Sequence, residues 1–168
     1  MNRLDVKRLL MREELLAGTV EDGRASWLVS HFMTPAPDCI SGDVTALELI
    51  QKFHAKEFRH LLVTDAMGRL IGVISDRDVL RCLGPSSEPR RKVLGEIQAS
   101  HLMSTDLLTI SPDRPFVEAV SLMVDHGIGC LPVLADDKLV GILTNTDLQL
   151  VLEGLLQSAH PLASAQSA

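Results

Sequence analysis

The sequence contains an internal repeat, and that repeat limits the folds open to it. Residues 31–64 align without gaps on residues 101–134, with identities at His31/His101, Met33/Met103, Ile40/Ile110, Ser41/Ser111, Asp43/Asp113, Glu48/Glu118, Leu61/Leu131 and Val63/Val133. One residue is lost in the next turn, after which Arg69 to Asp78 aligns on Lys138 to Asp147. A period of about 70 residues is too long for a solenoid and marks a duplicated unit. One such unit buries little surface by itself, so the two copies are expected to pack together.

Both copies parse in the same way. A short extended stretch ends at Cys39-Ile40 or Thr109-Ile110, followed by a turn or helix-cap signal at Ser41-Gly42-Asp43 or Ser111-Pro112-Asp113. Leu47, Ile50 and Phe53-His54 then recur at helical spacing, as do Val117, Val120 and Val124. Two short apolar runs around a turn read as a hairpin: Leu61-Leu62-Val63 and Leu70 to Ile74, or Leu131 to Leu134 and Leu139 to Leu143. A second helix starts after Ser75 or Thr144. The fold class is therefore mixed α/β (α+β), built from two β-α-β-β-α repeats as a pseudo-two-fold pair. Residues 3–17 have the pattern of an amphipathic helix packed on that pair. The expected organisation is residues 1–28 as N-terminal helix and lead-in, 29–84 as the first repeat, 85–98 as linker, 99–156 as the second repeat and 157–168 as a disordered Ser/Ala-rich tail. The polar stretch Gly84 to Lys92, with two prolines, carries the linker signal, and Arg90-Arg91-Lys92 reads as solvated.

Composition narrows the function. A net charge of −6 argues against a nucleic-acid surface. With 3% aromatic residues, the core is expected to be aliphatic. No apolar run of about 18 residues predicts a membrane span, and the charged N-terminus does not read as a signal peptide. Cys39, Cys82 and Cys130 are far apart and form no CxxC pair, so neither a disulfide framework nor a zinc site is expected, and the expected compartment is the cytoplasm. His54, His126 and His160 lack metal-ligand spacing. Met33 and Met103 read as core residues, and His31 and His101 as capping or solvated side chains in preference to a dimer contact. Cys130 reads as a small buried residue. No Ser/His/Asp or Cys/His set is apparent, so no catalytic activity is expected.

The motif that could carry chemistry closes each repeat: Gly72-Val73-Ile74-Ser75-Asp76-Arg77-Asp78 and Gly141-Ile142-Leu143-Thr144-Asn145-Thr146-Asp147. The general form is Gly-apolar-apolar-Ser/Thr-x-x-Asp at a strand-to-helix junction. One reading is an ordinary capping box, worth about 1 kcal/mol to the helix. The other is a ligand site. A hydroxyl at a helix N-terminus suits a phosphate, a carboxylate accepts hydrogen bonds from a ribose diol, and the glycine allows close approach.

Taken in order and in duplicate, His31-Phe32-Met33-Thr34, Arg59-His60-Leu61-Leu62-Val63, Gly72 to Asp78, His101-Leu102-Met103-Ser104, Ile128 to Val133 and Gly141 to Asp147 resemble a tandem pair of CBS domains, the modules named after cystathionine β-synthase. The resemblance runs from about Val29 to Leu152. It implies a stand-alone regulatory pair that often dimerises and whose two inter-repeat clefts bind AMP, ADP, ATP, S-adenosylmethionine or related ligands, with NAD a further candidate and no cofactor required. It also implies the residues. One cleft would combine Ile142, Thr144 and Asp147 with Pro37, Asp38, Phe58, Arg59 and His60. The other would combine Val73, Ser75 and Asp78 with Leu107, Leu108, Ile128, Gly129 and Cys130.

The two sets differ in charge. Arg59 and His60 could serve phosphate oxygens in the first, whereas the second has no cation at Gly129-Cys130 and carries Asp76 at its helix start. The Thr144/Asp147 cleft is therefore expected to be the better nucleotide site. Leu62 stands where the second repeat has Pro132, a change that would alter the shape of the first cleft. The leading expectation is an adenine-nucleotide sensor, a homodimer, acting on an unidentified protein and on neither nucleic acid nor membrane. The alternative is an oligomerisation scaffold with vestigial clefts. CBS pairs also occur within IMP dehydrogenases, but this chain has no room for a barrel of about 250 residues beside the pair.

Overall fold

The computed structural model describes residues 3–17, 20–21, 24–25, 27–83 and 91–159. In chain order the elements are α1 (Arg3–Ala17), β1 (Val20–Glu21), β2 (Arg24–Ala25), α2 (Val29–Phe32), β3 (Thr34–Pro35), β4 (Cys39–Ser41), α3 (Ala46–Lys56), β5 (His60–Thr64), β6 (Leu70–Ser75) and α4 (Asp76–Leu83). They continue as α5 (Arg91–Glu96), α6 (Ala99–Leu102), α7 (Phe116–Asp125), β7 (Cys130–Ala135), β8 (Lys138–Thr144) and α8 (Asn145–Ala159). Two three-stranded sheets form, in the orders β4-β5-β6 and β3-β8-β7, beside the small β1-β2 pair. The mixed α+β class and the N-terminal helix expected from the sequence are both present.

The chain divides into two compact units, and they are not the two repeats. Unit I draws on residues 1–35, 110–133 and 141–168, and unit II on 36–109 and 134–140. The lead-in to each repeat thus belongs to the sheet of the other repeat.

In unit II, Thr45 starts α3. Its backbone N–H donates to Glu48 Oε2 at 2.8 Å, and its hydroxyl accepts from the Glu48 N–H at 3.3 Å. The pair forms a capping box, with Glu at its usual third position. The helix ends at Glu57, whose φ of 54° breaks the helical path. It buries Ala46, Leu49 and Phe53, and Leu49 and Phe53 pack in a core with Ile40, Leu61, Val63, Ile74, Val79 and Ala99. Strand β4 runs parallel to β5, as a crossover through α3 requires, and β5 runs antiparallel to β6. Ser104, from the lead-in to the second repeat, extends the pairing: its N–H donates to Val73 O at 2.9 Å and its carbonyl accepts from Val73 N at 3.0 Å.

Unit I repeats the plan with the lead-in to the first repeat. Strand β3 pairs antiparallel with β8, Thr34 opposite Ile142 and Pro35 opposite Gly141. The matched histidines serve as caps. His31 Nδ1 accepts from the Leu28 N–H at 3.4 Å, and in unit II His101 Nδ1 accepts from the Gln98 N–H at 3.3 Å. Core aromatics concentrate here, with Phe32 and Phe116 at 4.6 Å and Trp27 edge-on to Phe32 at 6.1 Å. Helix α1 buries Met11 and packs on α8, with an Arg8–Glu153 ion pair at 2.9 Å and Leu15 against Gly154.

Several expectations shift. Helix α7 buries Phe116, Ala119 and Met123, not the Val117/Val120/Val124 series, and leaves Val117 69% and Val124 70% exposed. Two apolar stripes lie on that helix, and the bulkier one took the core. In α3 the buried register is likewise Ala46/Leu49/Phe53, with Leu47 and Ile50 half-buried and His54 exposed. The first strand of the second repeat shrinks to one parallel bridge, Ile110 to Val133. The linker contains helix α5, on which Arg91 and Lys92 sit, and α8 continues to Ala159, into the stretch expected to be disordered. Residues 84–90 and 160–168, with Arg90 and His160, lie outside the described residues.

Candidate functional site: the strand-to-helix junctions

In both repeats the closing motif forms the junction its sequence suggests. In unit II, the Ser75 N–H and hydroxyl both donate to Asp78 Oδ2, at 2.8 and 2.6 Å, and the Ser75 hydroxyl accepts from Asp78 N at 3.3 Å. In unit I, the Thr144 N–H and hydroxyl donate to Asp147 Oδ2 at 2.6 and 2.8 Å. A capping interaction is therefore present in both, and it uses one carboxylate oxygen. Aspartate, one methylene shorter than the usual Glu, keeps the carboxylate close against the turn.

The second residue before each Leu-x-Val run fixes the helix start from behind. Arg59 O accepts from Asp76 N and Gly129 O accepts from Asn145 N, both at 3.1 Å. At positions 59 and 129 the backbone therefore has a structural task, whatever the side chain does.

The glycines of the motif have a different neighbour from the one the sequence suggested. A Cβ on Gly72 would lie 2.3 Å from Met103 Sδ, and one on Gly141 would lie 2.3 Å from Met33 Sδ. The close approach at each glycine is to the matched methionine of the exchanged lead-in. Gly, Met and His are thus parts of one repeated device: His caps the short helix, Met follows it, and Gly receives the Met.

The second oxygen of each aspartate distinguishes the repeats. Asp78 Oδ1 accepts from Arg81 at 3.1 Å, and the Arg81 side chain is 79% exposed. Asp147 Oδ1 is paired with Lys7 Nζ of α1, which also donates to Thr34 Oγ1. Asp147 is 1% exposed and Lys7 17%. Sequence reasoning missed Lys7. Its only signal was a cation on the apolar-periodic N-terminal helix, with nothing to say what that helix would face.

Of the other expected residues, unit II holds Pro37, Asp38, Phe58, Arg59, His60, Val73, Leu107 and Leu108 with Ser75 and Asp78, while unit I holds Ile128, Gly129, Cys130 and Ile142 with Thr144 and Asp147. Asp38 pairs with Lys56 at 2.5 Å, and that ammonium lies 5.6 Å from the Phe58 ring centroid. His60 stands opposite Ser75 in the β5-β6 register, so the two side chains share a face. Burial pushes the His60 imidazole below its ordinary pKa, against the pull of Asp76 and Asp78, and Arg59 and Arg77 act in the same direction as burial. Arg59 is exposed, and Cys130 is buried. Burial also pushes the Cys82 thiol up, the opposite of what a reactive thiolate needs. Among the described residues no group of three or more His, Cys, Asp or Glu could hold a metal ion, and no helix is long and apolar enough to cross a membrane.

Known proteins share this architecture. A CBS domain protein of Dictyostelium discoideum is 31% identical over 140 residues, covering 80% of this chain and 97% of that protein. An uncharacterized protein of Methanopyrus kandleri is 33% identical over 115 residues, 66% of this chain and 56% of its own length. The chain spans only 26% of a homoserine O-acetyltransferase of Methanohalophilus mahii, to which it is 30% identical over 137 residues. Among solved structures, a putative acetoin utilization protein (AcuB) of Vibrio cholerae has a TM-score of 0.68 and 31% identity over 81% of this chain and 98% of that one. CBSX2, solved in complex with AMP, has a TM-score of 0.65 and 26% identity over 80% and 99%. The CBS domain model matches twice, at residues 29–84 and 99–154, and with the duplicated junctions this places the chain in the CBS domain family as a tandem pair.

Proposed function

We propose that the protein is a regulatory module that binds an adenosine nucleotide (AMP, ADP or ATP, with S-adenosylmethionine and NAD as further candidates) and passes the bound state to a protein partner. The observation that carries this reading is the duplicated junction. Each copy sets a hydroxyl and an aspartate at the start of a helix, with one carboxylate oxygen spent on the cap and the other paired with a lysine or arginine side chain. A ribose diol donates to such an oxygen, and the helix N-terminus with its hydroxyl favours phosphate. The AMP complex of CBSX2, a relative of similar size, supports the ligand class. Val73, Ser75, Asp78, Leu107 and Leu108 are candidates in unit II, and Ile142, Thr144 and Asp147 in unit I. Arg59 is the exposed cation for phosphate, while burial makes His60 a poorer one. Ligand acts by binding one conformation better than another, and that difference in affinity is all it can transmit.

A second reading, an oligomerisation scaffold, draws on the exposed Val117 and Val124 of α7. Homodimerisation through such a face is compatible with both. Thermal melting with AMP, ADP, ATP, NAD and S-adenosylmethionine in turn separates the two. A ligand at 100 times its Kd adds about 2.7 kcal/mol, a rise of several degrees for a domain of this size. An unchanged Tm with all five removes the sensor reading and leaves the scaffold.

A further inference from the structure

We propose that helix α1 is a tethered competitor for the nucleotide site of the second repeat, with Lys7 occupying the carboxylate oxygen a ribose would use. This rests on the nucleotide-binding reading above.

The two equivalent aspartates differ in what holds their second oxygen. Both give Oδ2 to the Ser/Thr cap, so only Oδ1 remains for a ligand. In the first repeat Oδ1 faces Arg81, three residues along the same helix and 79% exposed. Such a solvated pair is worth little and gives way readily. In the second repeat Oδ1 is held by Lys7, which arrives from the other end of the sequence and is largely withdrawn from water. The same ammonium donates to Thr34 Oγ1 on β3, the strand paired with β8. Helix α1 is held in turn by Arg8–Glu153 and by Leu15 against Gly154. Lysine and a ribose diol are both hydrogen-bond donors, and they claim the same acceptor.

The first-repeat site is therefore open, and the second is closed until α1 lets go. That reverses the ranking expected from charge alone, which assumed a free Asp147. It also gives the second site an output: nucleotide bound at Asp147 releases a helix.

The test uses the full chain. Saturating AMP, then ATP, should speed amide hydrogen exchange across residues 4–15 of the unsubstituted protein, with no mutation required. Without ligand, Asp147→Asn should speed the same amides, since the contact loses its charge. In calorimetric titration, Lys7→Met should bind the effective nucleotide at least tenfold tighter at one site, and adding Asp147→Asn should abolish the gain. Identical titrations of wild type and Lys7→Met would overturn the competition while leaving the sensor reading intact. Unchanged α1 exchange in Asp147→Asn would overturn it by showing that Lys7 does not hold the helix. Failure of both proteins to bind any of the five nucleotides would overturn the sensor reading and the competition together.

Discussion

Replacing Gly72 with alanine tests the Gly–Met device directly. The added Cβ would lie 2.3, 2.7 and 2.9 Å from Met103 Sδ, Cγ and Cβ. The thioether can swing aside, but the Met103 Cβ is fixed to the backbone that Ser104 ties to Val73 with two hydrogen bonds. Relief therefore needs a backbone shift as well as a new rotamer. Overpacking of this kind costs about 1–3 kcal/mol. Against it stands the gain of about 0.4–1 kcal/mol from stiffening the unfolded chain, which applies here because the backbone at Gly72 does not need glycine's positive φ. The clash wins, leaving a net loss of about 1–2 kcal/mol. For a domain of this length that lowers Tm by about 2–4 °C per kcal/mol. Urea unfolding of Gly72→Ala, Met103→Ala and the double variant forms the cycle. Met103→Ala costs stability alone by leaving a cavity, and in its background Gly72→Ala should cost less than in wild type, because the 2.3 and 2.7 Å contacts are gone and only the 2.9 Å approach to the Cβ remains. A Gly72→Ala protein as stable as wild type, or a cycle with no coupling, would refute the account of why glycine is there.

Removing the two matched carboxylates should have unequal effects without any ligand. Asp147→Ala strands Lys7 in a mostly dry site and should cost about 3 kcal/mol, the low end for a broken buried pair because the lysine stem can return to water. Asp78→Ala loses mainly a cap, about 1 kcal/mol; equal losses in urea would contradict the difference in burial. His60 is held below its ordinary pKa by burial, so the unfolded chain takes up its proton first. Stability should thus be complete above the ordinary histidine range and fall as pH drops through it. His60→Gln should flatten that part of the Tm-against-pH curve, and an unchanged curve would remove His60 as its source. His31→Ala and His101→Ala should each cost about 0.5–1 kcal/mol through lost caps, with similar values for both because the caps are the same.

The hairpins, the starts of α4 and α8, and the junctions were legible because local chemistry fixes them. Ser75 and Asp78 meet across one turn whatever else the chain does. The facing of α7 was not legible, since Val117/Val120/Val124 and Phe116/Ala119/Met123 are both apolar stripes and only tertiary packing chooses between them. Helix α5 was hidden behind two prolines and a charge run. Met33 and Met103 could be read as core, but their pairing with Gly141 and Gly72 depends on an exchange of segments that no local pattern encodes. Lys7 lies further still from local rules. A lysine on an amphipathic helix gives no hint of the buried carboxylate it will meet.

The exchanged lead-ins also dictate when each part of the molecule can be completed during synthesis. Nearly all of unit II is one continuous stretch, residues 36–109. The segment that must pair with β8 is made about a hundred residues before its partner strand, an interval on the order of 5–20 s at ordinary elongation rates. Through most of that interval Phe32, fully buried in the finished protein, lacks Phe116, the ring it packs against. The segment at residues 29–35 is thus completed after most of unit II, although it is made before it.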